Sequence, residues 1–102
     1  MKAYELLYFV NPVLDEEDQL ATLKRIDTTI VSQGGTVDNV EEWGRRKLAF
    51  EVDKLVDGEY TLIDFHANPA NIAEIDRVLR ITDAVKRFMI INRADRDQEN
   101  AG

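Results

Sequence analysis

No cysteine occurs in the 102 residues, which removes disulfides and thiolate metal sites at once. Histidine appears once, at His66, so no histidine pair is available to hold zinc. Glycine is scarce, and none of the five builds a phosphate-binding loop: Gly34-Gly35 follows a helical stretch instead of opening one. No apolar run approaches the roughly 20 residues of a membrane helix. The opening Met1-Lys2-Ala3-Tyr4-Glu5 lacks the charged-then-apolar build of a signal peptide. A soluble, cytoplasmic domain is the expectation. Positive charge is also in deficit, with 13 Lys and Arg against 20 Asp and Glu for a net −7. On its face that balance argues against nucleic acid.

What is present describes a globular chain, 44% hydrophobic and 32% charged. Its length suits one core and not two. The charges are unevenly placed. Acids crowd into 15–18, 38–42, 51–59 and 95–99, whereas cations gather at Lys2, at 45–47, at Arg77 and Arg80, and at Lys86, Arg87 and Arg93. Screening limits charge to a reach of about 8 to 10 Å in physiological salt, so a local patch can act apart from the total.

Residues 2–10 read as a strand, with Tyr4, Leu6, Tyr8 and Val10 on one face and Ala3, Glu5, Leu7 and Phe9 on the other. Asn11-Pro12 breaks it. Asp15 suits a helix N-cap, with acids at 16–18 on the positive end of the dipole. Leu20, Leu23, Ile30 and Val31 follow helical spacing, with Ile26 beside the stripe, and Gly34-Gly35 ends the helix. Residues 36–52 form a long second strand in which Gly44 marks a bulge or a close approach. A polar connection over 53–58 turns the chain into a third strand at 60–67. Asn68-Pro69 caps a second helix with Ile72, Ile75 and Leu79 as its stripe and Val78 adjacent. A last strand spans 84–92.

The order strand, helix, strand, strand, helix, strand predicts an α+β, ferredoxin-like βαββαβ sandwich: a four-stranded antiparallel sheet with both helices on one face. Residues 1–93 form its single domain, and 94–102 a polar, flexible tail. The helix-facing positions are Tyr4, Leu6, Tyr8, Leu48, Phe50, Ile63, Phe65, Phe88 and Ile90.

Two features stand out. The outward sheet positions Leu7, Phe9, Tyr60, Leu62, Met89 and Ile91 are apolar where alternation calls for polar residues. Either apolar atoms are simply common on surfaces and the strand faces are misassigned, or the residues form a patch that another protein covers. The stretch Gly44-Arg45-Arg46-Lys47-Leu48-Ala49-Phe50-Glu51-Val52 sets three cations before an alternating strand. Those cations are either solvated and paired with Glu41, Glu42 or Glu51, or they meet an anionic partner. Arg45 and Lys47 share a side, so at most two of the three reach a phosphate track from one face. Trp43 covers the core edge or stacks. His66 lies on an outward face without triad partners. The glycine between aromatics that marks an RNA-recognition strand is missing from 59–67.

The stretch from Trp43 to Val52 resembles the signature of the bacterial small-subunit ribosomal protein S-six family: a glycine, basic residues, then leucine-alanine-aromatic and an alternating aliphatic. Tyr4-Glu5, Asn11-Pro12, Tyr60, Leu79-Arg80-Ile81, Asp83, Val85, Arg87 and Met89 look like further family positions, and the likeness covers roughly 2–93. Phe50 stands where tyrosine is usual, and Glu51-Val52-Asp53 replaces a segment that usually holds proline and lysine. The resemblance implies a structural role without catalysis or cofactor. It implies binding to the central domain of small-subunit ribosomal RNA together with ribosomal protein S-eighteen during assembly. It carries over Lys2, Tyr4, Arg45, Arg46, Lys47, Arg80, Arg87 and Arg93 as RNA-side residues, and assigns Leu7, Phe9, Tyr60, Leu62, Met89 and Ile91 to the protein partner. No membrane, metal or small-molecule substrate is implied, and the chain is expected to be a monomer off the ribosome. The alternatives from another class are a small hydrolase and a metabolite-binding regulatory dimer on the same fold. An acylphosphatase-like enzyme would need an arginine in the loop after the first strand, and 11–18 has none.

Overall fold

Strand β1 (Lys2–Val10) is apolar on both faces over its second half, and it lies inside the sheet, between β3 (Leu55–Ala67) and β4 (Val85–Asn92). Strand β2 (Thr36–Val52) pairs with β3 on the far side, giving the antiparallel order β2-β3-β1-β4. The computed structural model describes residues 1–96. Helices α1 (Glu16–Ser32) and α2 (Ile72–Ile81) complete the βαββαβ order, so the ferredoxin-like α+β architecture expected from the sequence is the one observed.

Local chemistry sets the boundaries. The Asp15 carboxylate accepts from the Asp18 N–H, and Glu16, Glu17 and Asp18 fill the first turn of α1. At the other end Gly34 takes φ of +82°. Its N–H donates to the Val31 carbonyl, and the Gly35 N–H donates to that of Ile30. These are the two bonds that close a Schellman motif. Asn68 accepts from the Ala70 N–H, and Pro69 opens a 3₁₀ turn (Pro69–Asn71) that leads into α2.

The core lies between the sheet and the helices. Leu6, Ile63 and Phe65 from the sheet meet Ile26, Ile30, Ile75 and Leu79 from the helices, each with under 2% or about 2% of its surface exposed. Burying each such side chain is worth about 1.5 to 3 kcal/mol relative to leaving it in water. Tyr4 belongs here too, its ring stacked on Phe65 with centroids 5.5 Å apart.

Three expectations are corrected. The inward stripe of α1 is Thr22, Leu23, Ile26 and Ile30, while Leu20 and Val31 are exposed. Thr22 can enter that stripe because its hydroxyl donates to the Asp18 carbonyl. Strand β3 begins at Leu55 and not at 60. Asp53 and Lys54, at φ of 50° and 67°, form a two-residue turn that pairs Val52 with Leu55 at once. Finally, Phe50 is 65% exposed and Leu48 only half-buried, so neither is a core residue. Both lie past Lys47, where four β2 residues face the single β3 residue Val56 and β1 no longer pairs with β3, so their side chains fall beyond the end of the core.

Candidate nucleic-acid interface and open sheet face

Beyond the pair Val10 and Glu59, β1 ends while β2 and β3 run on as a two-stranded arm. Gly44 starts the arm with φ of +81° at the bulge, which glycine adopts without strain. Opposite-strand pairs then place Arg45 against Glu59, Arg46 against Gly58 and Lys47 against Asp57. The three cations have different partners. Arg45 donates from Nε and Nη2 to the Asp57 carboxylate, at 3.3 and 3.0 Å. Arg46 reaches only the Arg45 carbonyl, and neither Arg46 nor Lys47 has a carboxylate partner among the described residues.

The tip of the arm comes near β4. The Arg87 guanidinium lies over the Phe50 ring, 5.8 Å from its centroid. One turn of α2 contributes Arg80, which lies 5.5 Å over the Phe88 ring and also donates to Asp76 at 2.8 Å. Arg80, Lys86, Arg87 and Phe88 line one shallow groove beside the edge strand β4. Lys86 and Arg87 have no carboxylate partner among the described residues. Cations that were scattered in sequence thus form a band from α2 across β4 to the arm. Lys86 joins that band although sequence reasoning did not select it. Its position beside Arg87 was the available signal.

Other predicted RNA-side residues lie elsewhere. Lys2 sits at the opposite end of β1, paired with Ala67. Tyr4 is placed in the core, 7% exposed, so its ring is not a surface platform. Arg93 donates to Glu5 at 3.0 Å and to both Asp95 oxygens at 3.1 and 3.0 Å. The Asp95 carboxyl is held below its ordinary range, first by the hydrogen bonds from Arg93. Arg96 adds a 3.0 Å bond to Asp64. A 3₁₀ turn over Ala94–Arg96 therefore fastens the chain across the end of the open face. Of the expected tail, 94–96 are this turn, and 97–102 lie outside the described residues.

The open face itself is apolar at its centre. Leu7 pairs with Leu62 on one side and Met89 on the other, and Glu5 pairs with Ile91. Met89 and Ile91 are 54% and 40% exposed; Leu7, Leu62 and Tyr60 are half-buried. Phe9 is only 5% exposed, because its ring packs over Gly58 and lies 5.1 Å from the Tyr60 ring. Trp43 stacks on the other side of that group, 6.3 Å from Tyr60. His66 sits at the far margin with Nδ1 against the Asp38 carboxylate.

The family model described as "Ribosomal protein S6" matches residues 3–92. The chain belongs to the ribosomal protein S6 family. It is 51% identical to the small ribosomal subunit protein bS6 of Clostridium novyi (strain NT) over 92 residues, 90% of this chain and 97% of that one. The bS6 of Clostridium beijerinckii (strain ATCC 51743 / NCIMB 8052) is 47% identical over the same shares. The crystal structure of 30S ribosomal protein S6 from Thermotoga maritima superimposes with a TM-score of 0.90 at 29% identity, covering 98% of this chain and 94% of that chain. Members of the S6 family are structural components of the small ribosomal subunit, and this chain works there, on cytoplasmic ribosomes. Among the described residues no helix is long and apolar enough to cross a membrane.

Proposed function

We propose that the cation band binds phosphates in the central domain of small-subunit ribosomal RNA, while the open sheet face receives ribosomal protein S-eighteen. The protein acts in this role as a monomer that positions RNA and partner, with no catalytic step. The observation that carries the reading is the gathering of Arg46, Lys47, Lys86 and Arg87, without carboxylate partners among the described residues, in a chain of net charge −7. Cations left unneutralised in so acidic a protein leave a local anion site that phosphates can fill, and phosphate contacts orient a protein on RNA. The apolar centre of the open face supports the second half, since exposed contiguous apolar surface marks a partner site.

Copurification tests the whole reading. A tagged chain should sediment with small subunits, and free protein at the top of the gradient would contradict it. Met89→Glu tests the partner face. It should leave the unfolding midpoint of the isolated protein unchanged, since Met89 is 54% exposed, while abolishing capture of S-eighteen. Undiminished capture would remove the open face from the account.

A further inference from the structure

Phe50 is a large aromatic residue held out in solvent for which the fold has no packing use. The pairs Lys47 with Asp57 and Val52 with Leu55 leave four β2 residues, 48–51, facing the single β3 residue Val56. That excess loosens the strand and lets the ring leave the sheet plane, 65% exposed, with Val56 also 57% exposed beside it. The ring's neighbour is the Arg87 guanidinium, 5.8 Å from the centroid. Arg46 is paired opposite Gly58, beneath the Phe9 ring, and so faces the same side of the arm as Arg87.

We propose that Phe50 stacks an unpaired nucleobase, with Arg46 and Arg87 holding the phosphates that flank it. The proposal rests on the RNA reading above and adds the kind of RNA that the arm selects. An apolar protein surface laid on Phe50 would bury two guanidiniums against uncharged groups, at a high desolvation cost. A nucleotide supplies a flat ring and an adjoining anion together. A base inside a duplex has its faces covered by its neighbours, so only an extruded, looped or bulged base can meet the ring. Stacking is tolerant of base identity, so the arm selects an unpaired position more than a particular letter.

The test uses a transcript of the central domain of small-subunit ribosomal RNA, bound with S-eighteen present, across a salt series. Phe50→Ala should weaken binding about 5- to 150-fold, the range of one base–aromatic stack. It should leave the slope of log affinity against log salt unchanged, because phenylalanine carries no charge. One unpaired nucleotide should gain 2′-hydroxyl acylation reactivity in that complex, since losing the stack frees it to move, and Phe50→Tyr should restore both affinity and protection. An affinity within twofold of the parent overturns the proposal. So does a loss without a newly reactive nucleotide, or a loss confined to S-eighteen capture, which would make Phe50 a protein contact. If the parent itself shows no salt-dependent binding, the phosphate reading falls and takes this proposal with it.

Discussion

A Cβ added at Gly58 would lie 2.7 Å from Cδ1 of Phe9 and 2.8 Å from Cγ, closer than carbon atoms tolerate. The absent side chain is the space that the Phe9 ring occupies, and Phe9 in turn supports Tyr60. Gly58→Ala should therefore cost about 1 to 3 kcal/mol by overpacking, read as a lowered urea midpoint. Full stability would mean that the ring is not held there. Tyr8 gives a test in pH. Burial raises its hydroxyl pKa, opposed by the Thr61 hydrogen bond and reinforced by the nearby Glu42 charge. A folded-state pKa above the unfolded value favours the protonated fold. That contribution is complete below the unfolded value of about 10 and is lost as pH rises through the raised one. The parent should lose more stability than Tyr8→Phe between pH 8 and pH 11, compared by urea midpoints. Parallel losses would contradict the assignment.

At the scale of the element, the arm is held by a turn whose second residue does not favour it. Asp53 and Lys54 both occupy the left-handed region, which aspartate tolerates but which costs a residue such as lysine about 1 to 2 kcal/mol. Lys54→Gly should raise the urea midpoint, worth up to about 1 kcal/mol after glycine's entropy cost. A decrease would show that Lys54 makes a contact worth more than its strain. The same turn shows what the sequence revealed and what it hid. Strands 2–10 and 36–52 are legible because Asn11-Pro12 ends the first and Gly34-Gly35 precedes the second. Leu55 to Gly58 read as part of a connection because Asp57 and Gly58 favour turns in isolation, yet the chain has already turned at Asp53-Lys54. The alternation of Leu48, Phe50 and Val52 reads as a buried face, but the register irregularity between Lys47 and Val52 that frees Phe50 is not encoded in that pattern. Among the RNA-side candidates, Arg80 and Arg87 are both exposed. Their approach to the arm depends on how the arm lies over β4, which no local pattern encodes.

At the scale of the molecule, charge is sorted by position. The principal dimensions, 44 by 24 by 20 Å, give the molecule an elongated form that leaves room for two surfaces. The apolar centre of the open face lies between a fastened end, where Arg93 and Arg96 hold Glu5 and Asp64, and an arm end where Arg46 and Lys47 have no carboxylate partner among the described residues. Cations already satisfied by carboxylates have less to gain from phosphate than free ones. Arg46→Ala should accordingly reduce the salt slope of RNA binding by about one phosphate contact, while Arg93→Ala should leave that slope unchanged. Equal effects would refute the division of the candidates by their internal partners. The most direct measurement is the affinity of the parent protein for the central-domain transcript, with S-eighteen present, between 50 and 200 mM salt. Four phosphate contacts from Arg46, Lys47, Lys86 and Arg87 predict a linear fall of log affinity against log salt, with slope between about −2.8 and −3.6. An affinity that does not change over that range would contradict the phosphate-binding band and the central claim with it.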